Sequence, residues 1–204
     1  INEWFGRTVI HSDRRFAYED AQVRLETGEG DLADELALMF KLATKLRENR
    51  FENGGIDFNT EEVRFELDES GKPLRVVIKR MRESNKLIED FMLLANVRVA
   101  HFLAKVHPEK KTPTRTSIYR VHDNPDPEKL QALRIFVRRF GHELPKPQKG
   151  NAEALIRDLL KATAGTPEEG TVKTMAIRSM AKAEYSSTNI GHYGLSFPYY
   201  THFT

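Results

Sequence analysis

The 204 residues predict a mixed α/β fold weighted to helix, with a small antiparallel sheet. Three observations carry this. "EVRFEL" alternates apolar residues at Val63, Phe65 and Leu67, and Asp68-Glu69-Ser70-Gly71 joins it to "LRVVIKR" as a hairpin connection ending in glycine. "NKLIEDFMLLANVRVAHFLAKV" is a long run with apolar residues at helical spacing. Helix-start signals recur beyond it, at Asp126-Pro127 and Thr166-Pro167.

In order, Trp4 to Ile10 and Ala17 to Tyr18 read as short strands around a turn at Ser12 to Arg15. A helix begins near Glu19 and breaks at Gly28-Glu29-Gly30. Asp31 is then the expected N-cap of a second helix, whose stripe is Leu32, Leu36, Met39, Phe40, Ala43 and Leu46. Phe51 to Gly55 ends it and the hairpin follows. The next helix starts at Ser84 or Asn85. Its expected buried stripe is Ile88, Met92, Ala95, Val99, Phe102 and Val106, widened by Leu87, Phe91 and Leu94. Pro108 to Thr116 is a basic loop, "SIYRV" a short strand, and Asp126 caps a helix reaching about Phe140. "ELPKPQKG" is a linker, and Asn151 to Ala162 another helix. Thr166 with Glu169 predicts a capping box for a last helix running to about Tyr185.

Composition narrows the function classes. With 32 basic and 30 acidic residues the net charge is +2, so no long-range field announces nucleic-acid binding and any anion site must be local. The absence of cysteine excludes disulfides and thiolate metal sites and fits a reducing compartment. No apolar run approaches the roughly 20 residues that span a bilayer. The expectation is a cytoplasmic chain without membrane contact.

Catalytic signatures are few. The His and acidic residues show no metal-ligand spacing, and "HDNPDPE" reads better as a turn and helix cap than as a calcium loop. Neither "GEG" nor "GGIDF" has a phosphate-loop pattern, and there is no nucleophile elbow. The expected catalytic and metal-binding residues are therefore none. Three features stay open between structure and function. Asn85, Glu89 and Asn96 lie on one side of the apolar helix; spacing alone favours a partly exposed face or a structural ion pair with an arginine over a carboxylate that accepts from a ligand hydroxyl. Phe58 and Tyr18 are either core or base-stacking platforms. "GHYGLSFPYYTHFT" crowds Tyr193, Tyr199 and Tyr200 beside Gly191 and Gly194, where the backbone can approach something closely.

Five stretches, in order, resemble the catalytic (RNB) domain of the ribonuclease R and ribonuclease II exoribonucleases: "WFGRTVIHSDRRFAYEDA", "GGIDFNTEEVRFELDESGKP", "KLIEDFMLLANVRVAHFL", "SIYRVHDNPDPEKL" and "IRSMAKAEYSSTNIGHYGLSFPYYTHFT". "GGIDF" and "YYTHFT" resemble the ribonuclease R branch more closely. The resemblance implies a processive 3′→5′ exoribonuclease that uses Mg²⁺ to release nucleoside monophosphates from single-stranded RNA threaded through a channel. It implies that Phe58, the aromatic after Gly54-Gly55, is one jaw of a clamp on the last bases. It also implies that Glu89, in the I-E-[ED]-x-M stretch, and Tyr18 select RNA through the ribose.

The family's metal-binding aspartates and second clamp aromatic fall before Ile1. Its Ser-Pro-Ile-Arg segment, with a phosphate-contacting arginine, falls after Thr204. The chain thus reads as the central part of such a domain, holding channel wall and substrate-recognition residues. Its expected partners are single-stranded RNA, the remainder of the domain and flanking RNA-binding domains. Mg²⁺ is expected on residues outside the chain, and residues 1–204 alone are expected to be inactive. The alternative is a non-catalytic RNB-like module that binds RNA or protein.

Overall fold

The structure is a computed structural model and describes residues 3–57, 62–79, 81–105, 115–146 and 152–202. Phe58, most of the basic loop at 108–116 and Val106 lie outside these residues. The elements run α1 (Tyr18–Thr27), α2 (Ala33–Glu52), β1 (Glu62–Leu67), β2 (Pro73–Lys79), α3 (Glu83–Ala104), β3 (Tyr119–Val121), α4 (Pro127–Arg138), α5 (Ala152–Ala162), α6 (Glu169–Ser179) and β4 (Glu184–Ser186), then a 3₁₀ turn at Tyr193–Leu195. The helix-rich mixed class with a small antiparallel sheet is therefore the observed one, although among the described residues the sheets are two.

The first sheet is the expected hairpin. Val63 faces Ile78 and Phe65 faces Val76 in antiparallel register, with an irregularity at Glu66/Leu67. Its turn is held by the Asp68 carboxylate, which accepts from the Ser70 and Lys72 backbone N–H groups and from the Ser70 hydroxyl. The second sheet pairs β3 with β4, Arg120 opposite Tyr185. That pairing corrects the expected length of the last helix. α6 stops at Ser179 because Met180 turns extended, which lets Tyr185 reach β3 instead of continuing the helix. Long-range pairing here outweighs helix propensity.

Two other expectations fail at helix starts. Asp31 does not cap α2: its carboxylate is held by Arg14 and Arg24, and Leu32 takes the boundary position in a left-handed conformation with φ 57°. The capping box at Thr166 is also absent. Glu169 accepts from the Gly165 N–H and from Lys173, while the Thr166 hydroxyl donates to the Thr163 carbonyl. The cap at Asp126 is observed, the carboxylate accepting from the N–H of Glu128 and Lys129. Nor are there strands at Trp4 to Ile10 or Ala17 to Tyr18. Among the described residues nothing forms a ladder with that stretch; instead Phe5 stacks on Phe102 at 4.2 Å between ring centres, and Glu3 pairs with Arg98.

The main core lies between α4, α5 and α6, built from Leu130, Leu133, Val137, Ile156, Leu159 and Val172, with Ile56 joining from the loop after α2. A second cluster joins Ala100 and Ala104 of α3 to Tyr119, Val121 and Tyr199. α1 and α2 pack on the other half of α3. The buried face of α3 is only partly the expected one, since Leu87 is on it and Phe91 and Val99 are half-buried. Ile88, Met92, Ala95 and Phe102 are exposed, whereas Ser84, Leu87, Asp90, Leu93, Asn96, Ala100 and Ala104 are buried. Three of those buried residues are polar, and hydropathy alone places polar residues outside.

Candidate functional site

Each polar residue on the buried face of α3 is tied to a different neighbouring element. The Ser84 backbone N–H donates to Gln22 Oε1 of α1 at 3.0 Å. The Asp90 carboxylate accepts from Arg47 Nε at 2.8 Å and from Arg50 at 3.4 Å, both on α2. Asn96 Nδ2 donates to the Tyr200 hydroxyl of the final segment at 3.2 Å. Arg47 also donates to Glu83, which Lys86 holds from its other side. α3 is thus the hub on which α1, α2 and the final segment are positioned, and hydrogen bonds do the positioning.

Glu89, beside Asp90, behaves differently. Its side chain is 43% exposed, against 2% for Asp90, and its nearest cation is Arg50 at 3.8 Å. Among the described residues no hydrogen bond occupies it. Partial burial raises its pKa above the ordinary carboxylate value; Asp90 and Asp57 add to this, and Arg50 opposes it. A carboxylate that is partly desolvated, beside a guanidinium committed mainly to another acid, is an available hydrogen-bond acceptor. Spacing favoured a partly exposed face or a structural ion pair with an arginine for Glu89, and Glu89 is both partly exposed and paired with Arg50; the tighter, buried pairing is that of Asp90, which sequence reasoning did not single out. The third residue of that stripe, Asn85, closes the N-terminus of α3 by accepting from the Arg82 N–H.

The surroundings of Glu89 are defined by the same interactions. Asp57 is close enough for its charge to act on Glu89, so the chain entering position 58 passes nearby. Phe58 itself lies outside the described residues. Glu89 in turn raises the pKa of the Tyr200 hydroxyl, behind the main effect of burial. Between α2, α3 and the final segment lies a cleft of about 420 Å³, walled by Asn49, Arg50, Asp90, Leu93, Phe197 and Pro198 among others.

Tyr18 is the first residue of α1 and is half exposed. Its ring lines a second cleft, of about 330 Å³, between α1, α2 and the start of α3. The walls are mostly apolar and include Phe16, Met39, Leu87 and Ile88. Ile88, which lines the same cleft as Tyr18, is the residue before Glu89 on α3.

The crowded aromatics at the end are mostly core. Tyr199 and Tyr200 are buried, and the segment is sewn down by backbone bonds: Ile56 N–H to Gly194 O, Arg120 N–H to Tyr200 O, and Tyr193 N–H to His122 O. His122 Nε2 bonds the Ala181 carbonyl at 3.0 Å and therefore donates. Its Nδ1 is then the acceptor that meets the Gly194 N–H at 3.1 Å, which is the neutral tautomer. His192 packs edge-on to it, 5.0 Å between ring centres. Burial, with His122 adding, lowers the His192 pKa to about 4. The Ser196 hydroxyl donates to Asn53 O, joining this segment to the end of α2.

Among the described residues, no three His, Asp or Glu side chains are grouped so as to hold a metal ion. No described helix is long and apolar enough to cross a membrane.

Across its full length, residues 1–204, the chain matches the RNB domain. The chain belongs to the RNB family. It is 34% identical to ribonuclease R of Escherichia coli over 98% of this chain and 24% of that protein. It is 32% identical to ribonuclease R 1 of Lactococcus lactis over 100% of this chain and 25% of that protein. The chain thus spans about a quarter of the length of the relatives it matches. In fold it is similar to Mycoplasma genitalium RNase R, solved in complex with ribose-methylated single-stranded RNA. The TM-score is 0.78 and the identity 26%, over 93% of this chain and 29% of that one. Within the RNB family, then, the helix after the hairpin serves here as a hub, with one available carboxylate beside one committed to structure.

Proposed function

We propose that this chain is the RNA-recognition part of a processive 3′→5′ exoribonuclease of the ribonuclease R kind, one that hydrolyses single-stranded RNA to nucleoside monophosphates. The observation that carries the reading is the RNB-domain match over all 204 residues. The half-exposed Glu89 beside the fully committed Asp90 supports the part played by this segment. An ionised carboxylate is a strong acceptor for a 2′-hydroxyl, the group that separates RNA from DNA. Tyr18, one cleft away, completes the contact with the ribose, and Phe58 stacks on a base at the 3′ end.

Mg²⁺ would supply the water-activating chemistry from residues outside this chain, since the described residues offer no ligand set for it. The partners are single-stranded RNA, the remainder of the RNB domain and flanking RNA-binding domains. The compartment is the cytoplasm. Residues 1–204 alone, whose described residues group no metal ligands, have no nuclease activity.

The test is degradation of a 5′-labelled single strand by the full-length protein. Release of nucleoside monophosphates with progressive shortening from the 3′ end supports the reading. RNA binding without any hydrolysis, under conditions where E. coli ribonuclease R is active, makes the protein a binding module instead. Phe58→Ala should weaken 3′-end binding by about 1–3 kcal/mol and change the length of the final product. Unchanged products together with loss of folding would assign Phe58 to the core.

A further inference from the structure

Gln22 stands out among the polar residues of the chain. It is buried, on a helix whose other residues are mostly exposed. Its Oε1 accepts from the Ser84 N–H in the first turn of α3, where backbone donors have no partner within the helix. Its Nε2 donates to Glu26 at 2.8 Å. Both ends of the amide are therefore in use, and the acceptor end is the described hydrogen bond that joins α1 to α3. The spacing matters. Tyr18 and Gln22 share one face of α1. Ser84 and Ile88 share one face of α3, and both line the cleft that Tyr18 lines. Glu89 follows Ile88.

We propose that Gln22 is a positioning residue for sugar selection. Through one bond to the N-terminal backbone of α3 it fixes the register of α1 against α3, and so the placement of Tyr18 relative to Glu89. This rests on the reading that Tyr18 and Glu89 face the ribose. A hydrogen bond at a helix start constrains both the slide and the rotation of the neighbouring helix, which apolar contacts in an open cleft do not. Without it, the apolar residues that the cleft gathers from the two helices, Ala21 and Leu25 of α1 and Leu87 and Ile88 of α3, offer no directional contact to set the register.

The experiment uses the full-length protein and competition binding of sequence-matched RNA and DNA oligomers, with thermal melting in parallel. Gln22→Leu keeps the apolar bulk and removes the acceptor. The expected result is a fall in the RNA-over-DNA preference of about two- to ten-fold. The double variant Gln22→Glu with Glu26→Gln exchanges donor and acceptor within the pair while still offering an acceptor to Ser84, and should restore the preference. If Gln22→Leu is too unstable to assay, Gln22→Asn, an amide one methylene shorter, makes the same comparison against the double variant. A lowered melting temperature with an unchanged sugar preference would overturn the proposal and leave Gln22 a structural tie. Failure of the underlying reading shows separately, as no change in preference for Tyr18→Phe and Glu89→Gln.

Discussion

Two neighbouring carboxylates on one helix, Glu89 and Asp90, sit in different environments, one half exposed and one buried. Asp90 is buried and bound by two guanidinium groups, so removing it leaves Arg47 and Arg50 without their shared counter-charge. Asp90→Ala should cost about 3–5 kcal/mol of stability, as breaking a buried ion pair does, measured by denaturant unfolding. Glu89 is expected to be almost silent in that measurement, since surface substitutions lie within about 0.5 kcal/mol. Its signature lies in pH. Because its pKa is raised, the carboxylate takes up a proton at a higher pH than an ordinary glutamate as the solution is acidified. The charge-assisted acceptor is then lost, so the preference for RNA over DNA should weaken on mild acidification. Competition binding across pH checks this, and Glu89→Gln should flatten the dependence. Sequence spacing identified Glu89 as a candidate and did not point to Asp90. The discriminating partners, Arg47 and Arg50, are on another helix, and nothing local marks them.

At the scale of elements, what was legible is what is decided locally. The Asp126-Pro127 start of α4 follows from side-chain capping within the next turn, and the Asp68 to Gly71 turn follows from an aspartate bonding its own backbone. Asp126→Ala should therefore cost about 1 kcal/mol, visible as a shift in the denaturation midpoint. What was not legible depends on distant partners. Asp31 is captured by Arg14 and Arg24, α6 is cut short by strand pairing, and four residues of the stripe expected to be buried on α3, Ile88, Met92, Ala95 and Phe102, are exposed. A tight junction joins two such elements. Gly54 sits at φ +109°, and a Cβ there would meet Glu153 Oε1 at 2.6 Å and Ser196 Oγ at 3.3 Å. Gly54→Ala should thus destabilise the loop leading to position 58, through backbone strain and contact together. The expected phenotype is faster hydrogen exchange at Ile56, whose N–H bonds Gly194 O. An unchanged rate would mean that the carboxylate moves aside and the strain is absorbed.

For the whole molecule, the arrangement is two packed bodies of helix joined through α3 and the final segment. The hairpin's apolar residues, Phe65, Leu74 and Val76 among them, are exposed in this chain, which spans about a quarter of its relatives' length. The seam between the bodies carries His122 and His192, packed against Tyr193 and Tyr200. Both imidazoles are buried enough to lower their pKa, His192 to about 4, with Arg120 opposing protonation in each case. Between the ordinary histidine value and those lowered values the unfolded chain binds protons that the folded chain does not. Stability therefore falls as pH drops from about 6.5 toward about 4. The size for His192 is on the order of 3 kcal/mol, and His192→Phe should remove most of the slope. The central claim, that α3 uses Asp90 for structure and Glu89 for recognition, is tested most directly by one paired measurement on the full-length protein. Glu89→Gln and Asp90→Asn are compared for melting temperature and for RNA-over-DNA preference in competition binding. The account predicts that Glu89→Gln narrows the preference with its melting temperature unchanged, while Asp90→Asn lowers the melting temperature. Glu89→Gln that melts early and retains the full preference for RNA would contradict it.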